Sequence, residues 1–394
     1  MMICIFSLWG NTPKELIEYP DYTFHDHFGC YLPSYLPRAM ILDYIVGRAK
    51  ANNLRQFIRF NTVVRHVDFI DEKNEFSVEV EDFNKSSLEN FTFDRVIVAT
   101  GRFHVPHMIH IDGVDQFPGR VFHSHDLRDA EEFKGQHVLL IGGSVSADDI
   151  ALQCVKFGAR LVTMSARRQP VEIKWPNEVQ LVPIIVRIEG RTAHLNDGSQ
   201  VDNIDAIIFC TGYRHSYPFM NRRFRLQCGT HQLILPNLYK SLFWNDQPNL
   251  IYLGLTKYIY TFYIFEIQAR IVHDVILGRI QLPNQNERQT NLNEWLIRDE
   301  PTLSSDIFAV IQLQNDYIRD ILELLYTNHE NRSLSLAKFN FDQCNILLGQ
   351  AFREKTIDNA RYRDASYESV IDSEEKRIVK NKKSWMENID DSIL

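Results

Sequence analysis

Residues 137–168 read HVLLIGGSVSADDIALQCVKFGARLVTMSARR, and this stretch decides the fold. Residues 137–141 form an almost wholly apolar run, which is typical of a strand buried on both faces. A glycine turn follows at Gly142–Gly143. Apolar positions then recur at helical spacing from Asp148 to Phe157, and Gly158 ends the helix. Arg160–Ser165 is a second strand. The pattern predicts one βαβ unit of about thirty residues.

The turn after the first strand fits Gly-x-Ser-x-Ser-Ala, a variant of the glycine-rich turn that binds dinucleotides. Gly142 permits a tight turn, Ser144 lets the backbone approach a pyrophosphate, and Ala147 lets the helix pack closely on the sheet. The N-terminus of that helix offers N–H groups and a positive dipole end to phosphates. Arg167 and Arg168 follow about 25 residues after Gly142, near where an NAD-specific fold places an acidic residue. Because a guanidinium pairs with a 2′-phosphate, the sequence predicts NADP(H) rather than NAD(H).

The alternative interpretation of this stretch is a plain strand–helix turn that carries exposed arginines. Two further strand ends, at Ala99–Gly101 and Cys210–Tyr213, flank the glycine turn on both sides and contain Thr-Gly. Each alone is typical of an ordinary loop. As a pair they favour an NADP-binding domain inserted into another domain.

The other segments predict the remainder of an α/β fold. Helical spacing occurs in residues 37–60, in Phe262–Leu277 and from Thr302 onward. The predicted strands are Thr62–Phe69 and Glu75–Glu81, which alternate as a small antiparallel sheet, and the buried runs Arg95–Ala99 and Ala206–Cys210. From Glu368 onward the chain is strongly charged, and a loosely held tail is expected there.

Composition excludes several classes of protein. The 394 residues are 44% apolar with a net charge of −8, and the basic residues are dispersed, so no nucleic-acid partner is expected. No run of about 18 apolar residues occurs, so no membrane span is expected. The six cysteines form no Cys-x-x-Cys pair, which favours buried thiols in a reducing compartment over a metal site or disulfides. A cytoplasmic protein without a metal is expected.

A further motif lies directly before the predicted NADP strand. It reads Phe117-Pro-Gly119-Arg-Val-Phe-His123-Ser-His-Asp-Leu127. This segment resembles Phe-x-Gly-x-x-x-His-x-x-x-Phe/Tyr, the identifying segment of the flavin-containing monooxygenases, with Leu127 in place of the final aromatic residue. Similarity to this family, and within it to the bacterial trimethylamine monooxygenase branch, continues at residues 33–39, 59–62, 99–101, 174–176, 205–213 and 362–367.

The resemblance implies an FAD- and NADPH-dependent oxygenase. In such an enzyme NADPH reduces FAD, the reduced flavin reacts with O2 to give a C4a-hydroperoxide, and a small soft nucleophile, an amine or a sulfide, takes the distal oxygen. The protein supplies orientation and a dry site. The implied partners are a small-molecule substrate and O2, and a homodimer is left open. His123 and the other histidines are expected to be structural.

The resemblance also implies the domains and the site. The domains are a partial FAD-binding domain (1–111), an inserted NADP-binding domain (112–205), the second FAD-domain half with helices (206–330) and a C-terminal helical extension with a charged tail (331–394). Together they imply the fold class, two nested Rossmann-like domains. The implied catalytic residue is Asn11 in Leu8-Trp9-Gly10-Asn11, whose amide lies near flavin and nicotinamide; its alternative role is a helix N-cap before Pro13. The implied cofactor contacts are Trp9, Val64, Gly142, Ser144, Ser146, Ala147, Arg167, Arg168, Thr261 and Arg363.

The sequence departs from the family pattern at several positions. The chain starts after the family's own FAD glycine loop, so roughly sixty residues, about two βαβ units, are expected to be absent and FAD is expected to bind weakly. Val145 replaces a polar residue in the NADP turn, and His231 replaces an asparagine. Lys257 and Ile259 replace an acidic residue and a tryptophan beside the flavin. A cationic ammonium would lose a counter-charge and a π-face there, which argues against trimethylamine as the substrate.

Three other functions are alternatives to the oxygenase. A non-enzymatic remnant of the same fold is favoured by the missing FAD loop. A pyridine-nucleotide–disulfide reductase needs a redox cysteine pair, which the sequence lacks. A Baeyer–Villiger oxygenase would be indicated by turnover of a cyclic ketone.

Overall fold

The computed structural model describes residues 8–167, 173–227, 232–255, 261–299, 307–327, 341–371, 378–391 and 393. The chain divides into two compact units. Unit 1 comprises residues 1–48, 106–212 and 335–394, and unit 2 comprises residues 49–105 and 213–334. None of the helices in the described ranges combines the length and the apolar character that a membrane span requires.

The α-helices are α1 (Phe24–Phe28), α2 (Arg38–Ala51), α3 (Val145–Lys156), α4 (Thr261–Ile276), α5 (Gln285–Asp299), α6 (Ile307–Thr327) and α7 (Phe341–Ile357). The strands are β1 (Thr62–Ile70), β2 (Glu75–Asp82), β3 (Ser87–Phe93), β4 (Val96–Val98), β5 (Val105–Pro106), β6 (Arg120–His123), β7 (His137–Ile141), β8 (Leu161–Ser165), β9 (Val179–Val182), β10 (Ile185–Glu189), β11 (Thr192–Leu195), β12 (Gln200–Val201), β13 (Ala206–Phe209), β14 (Tyr213–Arg214), β15 (Leu238–Tyr239), β16 (Phe243–Trp244) and β17 (Leu250–Tyr252).

Unit 1 is built around a five-stranded sheet in the order β6-β13-β7-β8-β9. The strands run parallel, and every residue of β7 is buried, as its apolar run predicts. Helix α3 packs on this sheet through Ala147, Ile150, Ala151 and Cys154, which share one core with Val138 and Leu140 of β7. The predicted strand–turn–helix–strand unit is confirmed, although α3 begins three residues before the first residue expected.

The strand β13 differs from the sequence-based expectation. Ala206–Phe209 was expected to open the second half of the outer domain, but it lies between β6 and β7 in the sheet of unit 1. All four of its residues are buried. Because β13 is the strand that pairs with β6, it belongs to the sheet of unit 1. Likewise, residues 1–48 fall in unit 1 rather than with the other residues assigned to the first half of an FAD domain.

The chain after Glu368 also differs from expectation. We call residues 378–391 the C-terminal segment. Its Trp385 is fully buried in unit 1, with its ring nitrogen donating to the carbonyl oxygen of Ala360 at 2.5 Å and its main-chain N–H donating to Asp364 at 2.8 Å. The expectation of a loosely held tail was therefore wrong for this segment, because one large apolar side chain secures a stretch whose composition is otherwise charged.

The described residues of unit 2 include two sheets and the helices α4, α5 and α6. The predicted antiparallel sheet is confirmed as β1-β2-β3, and a second sheet has the order β15-β16-β17-β4. In that second sheet β4 pairs parallel with β17, but Ile97 in its centre is 44% exposed, so this strand is not covered on both faces as predicted. Helix α4 occupies Thr261–Ile276, as its apolar spacing predicts, and it packs against α6.

Candidate functional site

The turn between β7 and α3 lies at the carboxyl edge of the parallel sheet. Gly142 has a φ of +124°, and a Cβ at this position would come within 2.4 Å of the carbonyl oxygen of Cys210. Its N–H donates to the carbonyl oxygen of Ser165, at the end of β8, over 2.8 Å. A glycine is therefore required at position 142 by the close approach of the chain after β13, besides any need of a ligand.

The first turn of α3 is open to solvent. Ser144 precedes the helix with extended backbone and makes no capping hydrogen bond with its side chain. Ser144, Val145 and Ser146 are exposed, whereas Ala147 is fully buried against the sheet. The first N–H groups of a helix have no acceptor within the helix, so this exposed end can bind an anion.

Arg167 lies on the same edge of the sheet. It is exposed and follows two residues after Ser165, whose neighbour in the sheet is Ile141, the last residue before the turn. Arg168, its predicted companion, lies outside the described residues. The glycine turn and Arg167 are thus the two predicted NADP(H) features that the structure places at one sheet edge.

The acidic residues near this edge are neutralised by cations of the protein. The two acidic residues of α3 nearest the turn, Asp148 and Asp149, are each only 7% exposed. Each faces a cation: the amine of Lys355 lies 2.6 Å from Asp148, and the guanidinium of Arg363 lies 2.5 Å from Asp149. Because both carboxylates are covered and paired, they do not oppose a diphosphate at the exposed start of the helix.

Asn11 contacts α3. Its amide nitrogen Nδ2 donates to Oδ2 of Asp149 at 2.7 Å, and its Oδ1 accepts from the Thr12 hydroxyl at 3.3 Å. The residue that precedes the nearest short helix, Lys14–Leu16, is Pro13, so Asn11 does not have the alternative role of an N-cap. Asn11 is exposed, and it lies beside the helix whose N-terminus forms the candidate phosphate site.

Trp9 and Arg363 are interior residues. Trp9 is 1% exposed, and its ring nitrogen donates to Asp391 of the C-terminal segment at 2.6 Å. Arg363 is also 1% exposed; it donates to Asp149 and, through Nε, to the carbonyl oxygen of Gly10 at 3.0 Å. The guanidinium expected to contact NADP(H) thus has protein partners in this structure.

The remaining predicted contacts lie in unit 2. Val64 is on β1, next to an irregularity in the pairing with β2, and is 40% exposed. Thr261 is the first residue of α4 and is half-buried. Of the departures from the family pattern, Val145 is 45% exposed at the NADP turn. His231, Lys257 and Ile259 lie outside the described residues.

His123, the histidine of the segment 117–127, is buried and hydrogen-bonded within the chain. His123 ends β6, and its ring accepts a hydrogen bond from the main-chain N–H of His125 at 3.1 Å. Burial lowers the pKa of its imidazole. The thiols of Cys154, Cys210 and Cys344 are free and buried, as the sequence predicts, whereas the free thiol of Cys30 is only half-buried.

Sequence reasoning missed Asp149, Lys156, Trp385 and Asp391. Lys156 ends α3 with its amine among the rings of Trp9 and Trp385, 5.5 and 5.4 Å from their centroids, and 3.9 Å from the Asp391 carboxylate. Acidic residues near a helix N-terminus are ordinary, so nothing marked Asp149. Its partners Asn11 and Arg363 are 138 and 214 positions away in the sequence.

Comparisons with known proteins agree with this architecture. The model of the flavin-binding monooxygenase-like family matches residues 2–175 and 176–342. The chain is 41% identical to trimethylamine monooxygenase from Methylocella silvestris over 98% of its own length and 82% of the relative's. It is 38% identical to trimethylamine monooxygenase from Pelagibacter ubique, over 98% and 83% of the two lengths.

Solved structures are similar in fold. The crystal structure of Tmm from Pelagibacter sp. superposes with a TM-score of 0.89 at 34% identity, covering 98% of this chain and 84% of that one. S-allyl-L-cysteine S-oxygenase from Allium sativum has a TM-score of 0.76 at 23% identity, over 92% and 81% of the two chains, and shows the fold alone. These matches confirm the predicted α/β fold class with its two-domain Rossmann organisation. The chain belongs to the flavin-binding monooxygenase-like family.

Proposed function

We propose that this chain is an FAD- and NADPH-dependent monooxygenase that oxygenates the nitrogen or sulfur of a small soft nucleophile. The observation that carries the proposal is the exposed turn from Gly143 to Ser146, at a helix N-terminus on the same sheet edge as Arg167. In the balanced reaction, substrate, O2, NADPH and a proton give oxygenated substrate, water and NADP⁺. The relatives named trimethylamine monooxygenase, which align with 98% of the chain, support the same class of reaction.

In this proposal the protein's own residues bind and orient the nicotinamide cofactor. The N–H groups at the start of α3 receive the diphosphate, and the buried Ala147 keeps that helix close to the sheet. Asn11 offers hydrogen-bonding groups beside the same helix. Bound FAD would carry the two electrons from NADPH to O2, and the chemistry of that step belongs to the flavin.

The preference for NADPH rests on Arg167. A charged hydrogen bond to the 2′-phosphate contributes about 1.5–3 kcal/mol, so Arg167→Ala is expected to weaken NADP(H) binding about 10- to 150-fold. NAD(H) has no 2′-phosphate, and its affinity should change little. Titration calorimetry with both nucleotides measures the two losses, and equal losses would remove the assignment of the 2′-phosphate to Arg167. Arg187→Ala, at an exposed position on β10, is the control.

The FAD diphosphate has no second cradle of the same kind in the sequence. No Gly-x-Gly occurs anywhere in the chain, and one Gly-x-Ser-x-Ser-Ala turn serves one dinucleotide. A second candidate function is an NADP(H)-binding protein of the same fold, in which this turn serves the nicotinamide cofactor alone. The visible spectrum of the purified chain after addition of FAD and gel filtration discriminates the two. Retained flavin absorbance supports the oxygenase, and its loss supports the second candidate.

The substrate is proposed to be a neutral soft nucleophile rather than trimethylamine. The proposal rests on Lys257 and Ile259, which stand where the trimethylamine branch has an acidic residue and a tryptophan. A cationic ammonium is held by a counter-charge and an aromatic face, and neither group is present at those two positions. Product formation should therefore be faster with a small dialkyl sulfide than with trimethylamine.

A further inference from the structure

Two consecutive carboxylates on α3 form similar ion pairs but have different neighbours. Asp148 and Asp149 are equally buried, and each is paired with a cation from more than 200 positions later in the chain. Asp148 receives the amine of Lys355 on α7, and Asp149 receives the guanidinium of Arg363. Of the two carboxylates, Asp149 also receives the amide of Asn11.

The Asp149 carboxylate uses both of its oxygens. Oδ1 accepts from Nη2 of Arg363 at 2.5 Å, while Oδ2 accepts from Nδ2 of Asn11 at 2.7 Å. Arg363 in turn donates from Nε to the carbonyl oxygen of Gly10 at 3.0 Å. The main chain before Asn11 and the side chain of Asn11 are therefore fixed by the same ion pair.

This arrangement sets the orientation of the Asn11 amide. An ionised carboxylate can only accept hydrogen bonds, so the NH2 group of Asn11 must face Asp149 and the carbonyl Oδ1 must face away from it. The Thr12 hydroxyl, which donates to Oδ1 at 3.3 Å, is consistent with that orientation. Without an anionic acceptor the amide could rotate by about 180°, because its nitrogen and oxygen ends have nearly the same shape.

We propose that Asp149 is a positioning residue: clamped by Arg363, it fixes the amide of Asn11 so that its carbonyl oxygen is presented to the nicotinamide cofactor. The inference rests on the proposed function, since it takes Asn11 to contact the cofactor. Arg363 then acts through Asp149 and Gly10, from inside the protein. Its burial agrees with this role better than with a direct contact to phosphate.

The first test is a double-mutant cycle on NADP⁺ affinity, measured by titration calorimetry without flavin. One hydrogen bond to an uncharged group is worth about 1 kcal/mol, so Asn11→Ala should weaken binding about fivefold. Asp149→Asn should cause a similar loss, and the double variant should be no weaker than Asn11→Ala, because Asp149 acts through Asn11. Additive losses would overturn the inference.

Asp148→Asn is the matched control. It removes the same charge, at the same burial, from a pair that does not contact Asn11. Its NADP⁺ affinity should stay within about twofold of the wild type, although its thermal stability should fall as much as that of Asp149→Asn. An equal loss of affinity in both variants would mean that any buried charge on α3 matters, and the inference would fall.

The second test observes the amide directly. In the ¹⁵N–¹H spectrum, the Nδ2 protons of Asn11 should exchange slowly with water in the wild type and about tenfold faster in Asp149→Asn, as expected when a charge-assisted hydrogen bond is lost. If Asp149→Asn does not fold, Asp149→Leu with Arg363→Met removes both charges and serves instead for this readout. If the wild type binds no NADP⁺ but the signal depends on Asp149, the orientation holds and the proposed function falls. If NADP⁺ binds and the signal does not depend on Asp149, the inference falls and the function stands.

Discussion

Replacing Trp385 by alanine should loosen one part of unit 1 and leave unit 2 unchanged. The indole is fully buried, donates to the carbonyl oxygen of Ala360, and lies under the Arg363 guanidinium at 4.5 Å. Removing a buried tryptophan side chain costs about 3–5 kcal/mol through lost contacts and the cavity left behind. That cost approaches the whole stability of a marginal domain, so the C-terminal segment should detach before the sheet unfolds.

Amide hydrogen exchange measures this effect locally. Residues 358–364, which Trp385 contacts at Ala360, Arg363 and Asp364, should exchange about 100- to 4,000-fold faster in Trp385→Ala, because each 1.4 kcal/mol is a factor of ten. Helix α4 belongs to unit 2 and serves as the internal reference.

The matched control lies in the same segment. Ile389 is 60% exposed, so Ile389→Ala should change exchange in residues 358–364 by no more than about twofold, in keeping with the small effect of surface substitutions. If Trp385→Ala behaves like Ile389→Ala, the C-terminal segment is not secured by its tryptophan and the packing argument is refuted.

Three other outcomes are expected. Gly142→Ala should destabilise the chain by about 1–3 kcal/mol in a denaturation assay, because position 142 has a φ of +124° and the added Cβ would lie 2.4 Å from the Cys210 carbonyl oxygen. Gly349→Ala, on a helix with open space around the added Cβ, should be neutral or stabilising in the same assay. Burial lowers the pKa of Lys156 from 10.5 to about 8. The carboxylates of Asp391 and Asp390 raise this pKa in part, and the guanidinium of Arg363 lowers it further. The folded state then holds fewer protons than the unfolded state between about pH 8 and 10.5, so stability relative to Lys156→Met should rise with pH across that window, and a flat difference between thermal midpoints at pH 7 and pH 10 would contradict the assignment. Oxygenation of a dialkyl sulfide should exceed that of trimethylamine by at least about tenfold, as expected where a counter-charge and a π-face are both missing, and mass spectrometry of the products decides between them.

The part of the fold that local patterns determine could be predicted from the sequence. The unit β7–α3–β8 lies within a few residues of its predicted bounds, because buried strands, helical spacing and glycine turns are each encoded over five to twelve neighbouring residues. The position of β13 in the sheet could not be predicted in this way. Its apolar run indicates a buried strand but does not identify the strands on either side of it.

In the candidate site, too, the features encoded by neighbouring residues could be predicted and those that depend on distant residues could not. Gly142, Ser144 and Ala147 are recognisable because the chemistry of the turn is local, and the structure places them as a turn, an exposed helix start and a buried contact. The surroundings of Asn11 depend on Asp149 and Arg363, which no spacing rule connects with it. Composition misled in one place: the charges after Glu368 indicated a detached tail, and a single tryptophan outweighs them.

The hydrogen bond from Trp9 to Asp391 has a consequence for biosynthesis. The two residues are 382 positions apart, so at about 5–20 residues per second a ribosome makes Asp391 about 20 to 75 s after Trp9. Until Arg363 and then Asp391 are made, the newly made Trp9–Asn11 strip lacks the partners that hold it. The turn after β7 can form early during translation, whereas Asn11 reaches its final surroundings only after residue 391 has left the exit tunnel.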